Sequence, residues 1–174
     1  EEEIINKAGS NYFGTDDDTL SSIVVDLLQR KKETISVAES CTGGGIGAAL
    51  TETPGASKVF SGGIIAYSNE IKENILGVPK EILEKYGAVS EEVVIRMAKN
   101  GIKTFSTDWC IAVSGLAGPK GGSKAKPIGL VYIAIANKKF CKANKFQFGS
   151  TRGRSAIQKL TVLNGLNHIR LALK

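Results

Sequence analysis

Residues 34–44 read Thr34-Ile35-Ser36-Val37-Ala38-Glu39-Ser40-Cys41-Thr42-Gly43-Gly44, and this stretch decides the fold. Its first half, residues 34–38, is a short β-branched run suited to extended, pleated backbone. Its second half replaces branched residues with small polar ones and a double glycine, so the chain must turn. A helix is expected to follow through about Thr51, with Pro54-Gly55 breaking it. A strand that turns at once into a helix is the building unit of a layered α/β fold.

The alternation continues outward. Upstream, Leu20, Ile23, Val24, Leu27 and Leu28 recur at helical spacing between Thr19 and Lys31, and Asp18 or Thr19 can cap the start. Downstream, residues 59–67 read as a second strand, and Ser68 caps a short helix over residues 69–76. Pro79 starts another helix. Ser90-Glu91-Glu92 opens a longer one, with Val93, Val94, Met97, Ile102 and Phe105 as its apolar face. Residues 109–114 form a buried-type strand, and residues 115–126 a glycine-rich loop. Residues 128–136 and 140–148 then read as a hairpin about Asn137-Lys138-Lys139, and a last helix runs from about Arg154 to Leu173. This order predicts a three-layer α/β/α domain, with helices over both faces of one mixed sheet of about five strands. The domain is expected over residues 19–174. The polar, turn-rich residues 1–18 are expected to be a linker or arm.

Composition narrows the chemistry. No stretch approaches the ~18 consecutive apolar residues that a membrane helix needs, and Glu1-Glu2-Glu3 does not open a signal peptide, so no membrane partner is expected. Cys41, Cys110 and Cys141 are odd in number and contain no CxxC pair, which argues against a disulfide framework or a zinc site. A reducing cytoplasm is their natural compartment. The lone histidine, His168, excludes a metal centre built on several histidines and leaves a serine–histidine pair only one residue to use. No metal and no cofactor are expected. Charge is lopsided: residues 1–108 carry 11 Lys+Arg against 17 Asp+Glu, whereas residues 109–174 carry 12 Lys+Arg and no acid. The basic half is either solvated surface or a face for phosphate. Aromatic interleaving there is thin (Phe140, Phe146, Phe148), so a nucleic-acid partner is not expected.

In open α/β sheets, sites form beyond the C-terminal ends of strands. Three junctions qualify: residues 38–44, 67–72 and 114–122. Ser40 is presented at a strand-to-helix turn, near backbone N–H groups that could hold an oxyanion or a phosphate. It could equally cap the helix, as could Thr42. Cys41 is a rival nucleophile or a packing residue. Lys72, one turn into a capped helix, is either solvated or a base whose pKa burial depresses. Tyr67 could relay a proton or hold that lysine. Glu39 is either a helix-terminus acid or a substrate ligand. The glycine-rich loop has neither GxxxxGK[ST] nor GxGxxG, yet its Lys120, Lys124 and Lys126 could embrace a phosphate.

Taken together, AESCTGG (38–44), PGAS (54–57), YSNEIK (67–72), GAVSEEV (87–93), SGLAGPKGG (114–122) and KPIGLVYIA (126–134) resemble the C-terminal domain of the CinA (competence/damage-inducible protein A) family, which includes nicotinamide-nucleotide amidohydrolases. The resemblance spans roughly residues 20–172. NYFGTDDDTL (11–20) is similar to the join from an upstream domain, so an excised C-terminal domain is expected. The resemblance implies Ser40 as nucleophile, Lys72 as general base and Tyr67 beside them. The implied reaction is hydrolysis of the carboxamide of nicotinamide mononucleotide, a small-molecule nucleotide substrate, to nicotinic acid mononucleotide and ammonia. A homo-oligomer is also implied. Substrate contacts are then expected from Glu39, Cys41, Thr42, Gly43, Gly44, Asn69, Ser114, Gly115 and Gly118, with N–H groups of residues 41–44 as oxyanion donors and Arg152 toward the phosphate. Two other readings compete. One is a non-catalytic nucleotide- or DNA-binding regulatory domain, prompted by the basic second half and the competence/damage link. The other is a hydrolase using Cys41.

Overall fold

The computed structural model describes Lys7, Gly9, residues 12–15 and residues 17–174, so most of the arm expected over residues 1–18 lies outside the described residues. Helix α1 (Leu20–Lys31) is fixed at its start by a reciprocal capping box: Thr19 accepts from the Ser22 N–H, and Ser22 answers the Thr19 N–H. Strand β1 (Ile35–Glu39) follows, buried along its whole length. After the turn come helix α2 (Gly45–Thr51), a single 3-10 turn at Ala56–Lys58 and strand β2 (Phe60–Ile65). Helix α3 (Asn69–Asn74) is capped by Ser68. Helix α4 (Lys80–Tyr86) begins after Pro79, and helix α5 (Glu91–Phe105) is capped by Ser90. Strands β3 (Trp109–Gly115), β4 (Leu130–Asn137) and β5 (Cys141–Gln147) lead to the terminal helix α6 (Arg154–Leu173).

The strand order is β2-β1-β3-β4-β5. β1 runs parallel to both β2 and β3, while β4 and β5 close the sheet as an antiparallel hairpin. The mixed five-stranded sheet is covered on both faces, which is the expected architecture. On one face Ile35, Val37, Ile111, Val113, Ile133 and Ile135 pack against apolar residues of α1, α2 and α6. On the other, Ala38, Cys110, Ala112, Ala134 and Ala136 lie under Val93, Val94, Met97 and Ala98 of α5. The small residues on that face let α5 approach closely. At Gly101 an added Cβ would meet Cys110 Sγ at 2.5 Å, so only glycine fits the contact. On the opposite face, Ile157, Leu166, Ile169 and Leu173 of α6 are fully buried. Each contributes about 1.5–3 kcal/mol by leaving water.

This topology positions the site. From β1 the chain passes to β2 on one side and later to β3 on the other, so β1 stands where the strand order reverses. At such a point the connections leaving adjacent parallel strands diverge and open a crevice at their carboxyl ends. The residues that follow β1, β2 and β3 all meet there.

Candidate active site

A cleft of about 230 Å³ opens at that edge, and the three sequence junctions converge in it. Ser40 and Cys41 come from the end of β1; Tyr67, Asn69 and Lys72 from the end of β2; Ser114 to Gly118 and Lys120 from the end of β3. Backbone bonds lock the strand ends together. The Ser40 N–H donates to Val113 O at 3.1 Å, and the Ala66 N–H donates to Glu39 O at 2.7 Å.

Lys72 turns back from α3 beneath the end of β2 and is only 1% exposed. Its Nζ donates to Ala66 O at 2.7 Å and lies 3.2 Å from Ser40 Oγ. Among the described residues no carboxylate pairs with it. Burial therefore dominates and pushes the Lys72 pKa below the usual lysine range, because the ammonium form has lost its water. A neutral amine here can donate one N–H to Ala66 O and turn its lone pair to the Ser40 hydroxyl. Cys41 is driven the other way. Burial, with Glu39 nearby, pushes its thiol up to about 12, so it stays protonated at neutral pH.

The turn after β1 is built from its own atoms. The Gly43 N–H donates to Ser40 O at 3.1 Å, and Gly44 enters α2 at φ 101, a left-handed conformation that glycine adopts without strain. Glu39 is fully buried, and its carboxylate accepts from the N–H groups of Gly44, Ile46 and Gly47 at 3.2, 3.0 and 2.8 Å. It therefore answers the first N–H groups of α2 and does not line the cleft, which corrects its expected contact with substrate. Gly43 and Gly44 likewise stand outside the cleft, and their N–H groups are engaged. Thr42 is buried, and its side chain makes no hydrogen bond in the described residues. The N–H groups of Cys41 and Thr42 have no acceptor among the described residues. The oxyanion donors expected over residues 41–44 thus narrow to these two.

Tyr67 also departs from expectation. Its ring is 61% exposed at the cleft mouth, and its hydroxyl accepts from Arg154 Nη2 at 2.8 Å instead of meeting Lys72 or Ser40. Arg154 Nη1 donates to Gly118 O at 2.9 Å, so the first residue of α6 ties both rims together. Arg152, expected to face phosphate, sits in the exposed turn before α6 and is absent from the cleft wall; Arg154 occupies that wall. Ser114 is buried and donates to Ala88 O at 2.7 Å, which brings Ala88 and Val89 to the cleft. In the glycine-rich loop Lys120 lines the cleft, Lys124 is exposed, and Lys126 Nζ is spent on Tyr86 O.

Sequence reasoning missed Arg154 and Gln158. Both arrive on α6, one turn apart, and the only local hint was the basic start of that helix. His168 sits far along α6, edge-on to Phe146 at 5.3 Å, and takes no part in the cleft. Among the described residues no three His, Cys, Asp or Glu side chains are close enough to share a metal ion. A larger recess of about 550 Å³ lies between α5 and the β4–β5 turn, lined by Arg96, Lys99, Lys103, Lys138 and Lys139. Its wall also carries Cys141 near Lys99, but burial outweighs the lysine and pushes that thiol above the ordinary cysteine range. The smaller cleft instead sets a serine hydroxyl against a buried amine. No described helix is long and apolar enough to cross a membrane.

Comparisons with known proteins identify the family and the fold. A family model described as the CinA C-terminal domain matches residues 17–173. The chain is 52% identical over 173 residues to a CinA-like protein of Parasynechococcus marenigrum (strain WH8102), covering 99% of this chain and 41% of the relative. It is 52% identical over 168 residues to a CinA-like protein of Prochlorococcus marinus (strain MIT 9313), covering 97% of this chain and 39% of the relative. The chain thus spans about two fifths of the length of these relatives. Among solved structures, a competence/damage inducible protein from Agrobacterium tumefaciens superposes with a TM-score of 0.87 at 36% identity, covering 93% of this chain and 98% of that one. A competence-damaged protein (CinA) superfamily protein from Escherichia coli gives 0.84 at 30% identity, covering 94% and 98%.

Proposed function

This chain belongs to the CinA C-terminal domain family, and on that footing we propose that it hydrolyses the carboxamide of nicotinamide mononucleotide, releasing nicotinic acid mononucleotide and ammonia. The observation that carries the proposal is the buried Lys72 Nζ, 3.2 Å from Ser40 Oγ and without a carboxylate partner among the described residues. A lysine so placed is neutral more readily than a solvated one and can take a proton from the hydroxyl it touches.

The geometry supports the following sequence of steps. Ser40 Oγ attacks the carboxamide carbon while Lys72 takes the hydroxyl proton. The oxyanion that forms is met by the free N–H groups of Cys41 and Thr42, and one such donor is typically worth ~3 kcal/mol. Lys72 then passes its proton to the leaving nitrogen, the C–N bond breaks, and ammonia departs from an ester on Ser40. Water, losing a proton to Lys72, attacks that ester. Lys72 returns the proton to Ser40 Oγ as the acyl–oxygen bond breaks, and the freed acid loses its own proton to solvent to leave the carboxylate product. Arg154 and Lys120 are the cations of the cleft wall and suit the substrate's phosphate. The exposed ring of Tyr67 can lie against a pyridinium, an attraction of about 0.5–2 kcal/mol.

The test is ammonia release from nicotinamide mononucleotide, in EDTA, by the purified chain beside Ser40→Ala and Lys72→Ala. Turnover that survives EDTA and collapses in both variants is the expected result. Full activity in Ser40→Ala would sink the nucleophile, and no release by the parent would sink the substrate.

A further inference from the structure

One hydrogen bond crosses from α6 to the nucleophile turn. Gln158 Nε2 donates to the carbonyl oxygen of Cys41 at 2.9 Å, across 117 residues of sequence. Because a carbonyl only accepts, the amide nitrogen of Gln158 must be the end that faces it. The bond acts on a peptide unit that matters. The Cys41 carbonyl and the Thr42 N–H belong to the same planar trans group and point in opposite directions. Holding one end therefore aims the other.

The rest of the turn is already assigned. Ser40 O is taken by the Gly43 N–H, and Glu39 takes the N–H groups of Gly44, Ile46 and Gly47. The Gly45 N–H donates to Thr42 O at 3.3 Å. Gln158 supplies the tether on the Cys41–Thr42 peptide itself, and the Thr42 N–H is left without an acceptor among the described residues. Donation into a carbonyl also polarises the peptide, which strengthens its N–H as a donor. Gln158 sits four residues after Arg154, on the same face of α6. That helix thus grips the cleft twice: Arg154 at the rim through Tyr67 and Gly118, Gln158 behind the turn through Cys41.

We propose that Gln158 is a positioning residue for acyl transfer, holding the Cys41–Thr42 peptide so that the Thr42 N–H faces the developing oxyanion. The inference rests on the reading of Ser40 and Lys72 as an acyl-transfer pair. It needs no particular amide as substrate. An interaction made only in the transition state acts on kcat and leaves KM in place.

The experiment compares the parent chain with Gln158→Met, which keeps length but removes the donor, and Gln158→Glu, whose carboxylate repels the carbonyl. Ammonia release from nicotinamide mononucleotide is measured beside the labelling rate of Ser40 by a fluorophosphonate probe, whose tetrahedral adduct uses the same donors. Both variants should lose about tenfold to a hundredfold in kcat. Their KM should stay within twofold, labelling should slow in parallel, and the melting temperature should hold within about 3 °C. Labelling and kcat both within twofold of the parent would overturn the proposal. So would a raised KM at constant kcat, or a lowered melting temperature with unchanged turnover. A parent that labels at Ser40 but releases no ammonia refutes the substrate while the labelling series still judges Gln158. A parent that does neither overturns both.

Discussion

Lys72 Nζ and Ser40 Oγ lie 3.2 Å apart inside a wall that admits almost no solvent to the lysine. The contact joins the ends of two neighbouring parallel strands, since Ser40 follows β1 and Lys72 folds back onto Ala66 after β2. The pair is therefore held by the sheet itself, and its geometry is only as variable as the strand register. Glu39, the nearest carboxylate to Ser40 in sequence, turns away to α2, so it does not restore the ammonium.

The pH profile should report this arrangement. A base must be neutral to act, and burial lowers the Lys72 pKa from its ordinary range. The value of kcat/KM should rise with pH and level off below ~10.4, the pKa of a free lysine. Lys72→Arg, which keeps the charge but cannot give up its proton, should lose about a thousandfold or more across the whole range. A rising limb that persists unchanged in Lys72→Arg would assign it to another group.

Stability should also rise with pH. With the folded pKa below the unfolded one, the unfolded chain binds more protons between the two values, and stability rises with pH in that window. Below the folded pKa the buried charge weighs fully against folding. Lys72→Met should therefore raise the melting temperature at neutral pH by a few degrees, ~1 kcal/mol being worth about 2–4 °C at this size. The gain should shrink as pH approaches ~10, near the pKa of a free lysine. Calorimetry from neutral pH up to that point checks it, and a melting temperature that drops in Lys72→Met at neutral pH would refute it.

Cys41 should be chemically silent. Its thiol, pushed up to about 12 by burial, offers no thiolate at neutral pH. Cys41→Ala should keep kcat within about threefold while losing roughly 1 kcal/mol of packing. Iodoacetamide near neutral pH should leave turnover intact, and rapid inactivation traced to Cys41 would restore the cysteine-hydrolase reading.

Glu39 should matter to the fold before it matters to binding. Its carboxylate accepts three backbone N–H groups, and Glu39→Gln replaces one acceptor oxygen with a donor that faces those N–H groups. A loss of about 2–4 kcal/mol is expected, seen as a lower urea midpoint. The KM for nicotinamide mononucleotide should stay within twofold, and a large KM change at unchanged stability would return Glu39 to the substrate.

Arg154 and Arg152 should separate cleanly. Arg154→Gln is expected to raise the KM for nicotinamide mononucleotide by about tenfold or more, the loss of a charge-assisted contact, whereas Arg152→Gln should change it less than twofold. With nicotinamide riboside, which lacks the phosphate, the Arg154 effect should largely vanish. Equal effects on both substrates would mean that Arg154 shapes the cleft through Tyr67 and Gly118 instead.

Much of the architecture was legible because it is local. Hydrophobic spacing marked the strands and helices, and Thr19, Ser68 and Ser90 cap the helices they precede. Small corrections fell at the ends. Strand β2 stops at Ile65, and α3 at Asn74 ahead of Gly77, which has φ 59, because boundaries depend on where backbone partners run out. The three junctions that line the cleft were readable too, since the ends of parallel strands are where loops can gather. Which arginine lines the cleft was not. Arg152 and Arg154 look alike in sequence, and only the start of α6 decides which one reaches Tyr67, 87 residues away.

The sequence by itself determined the order of strands and helices, the capped turns and the chemical inventory of serine, lysine and tyrosine at strand ends. Periodicity and turn chemistry are short-range properties, so they survive without a fold. Tertiary structure alone decided that Lys72 is buried beside Ser40, that Glu39 serves α2, and that Gln158 and Arg154 close the cleft from α6. Protonation state and side-chain direction depend on what packs around a residue, and those neighbours come from strands and helices brought together only when the sheet forms.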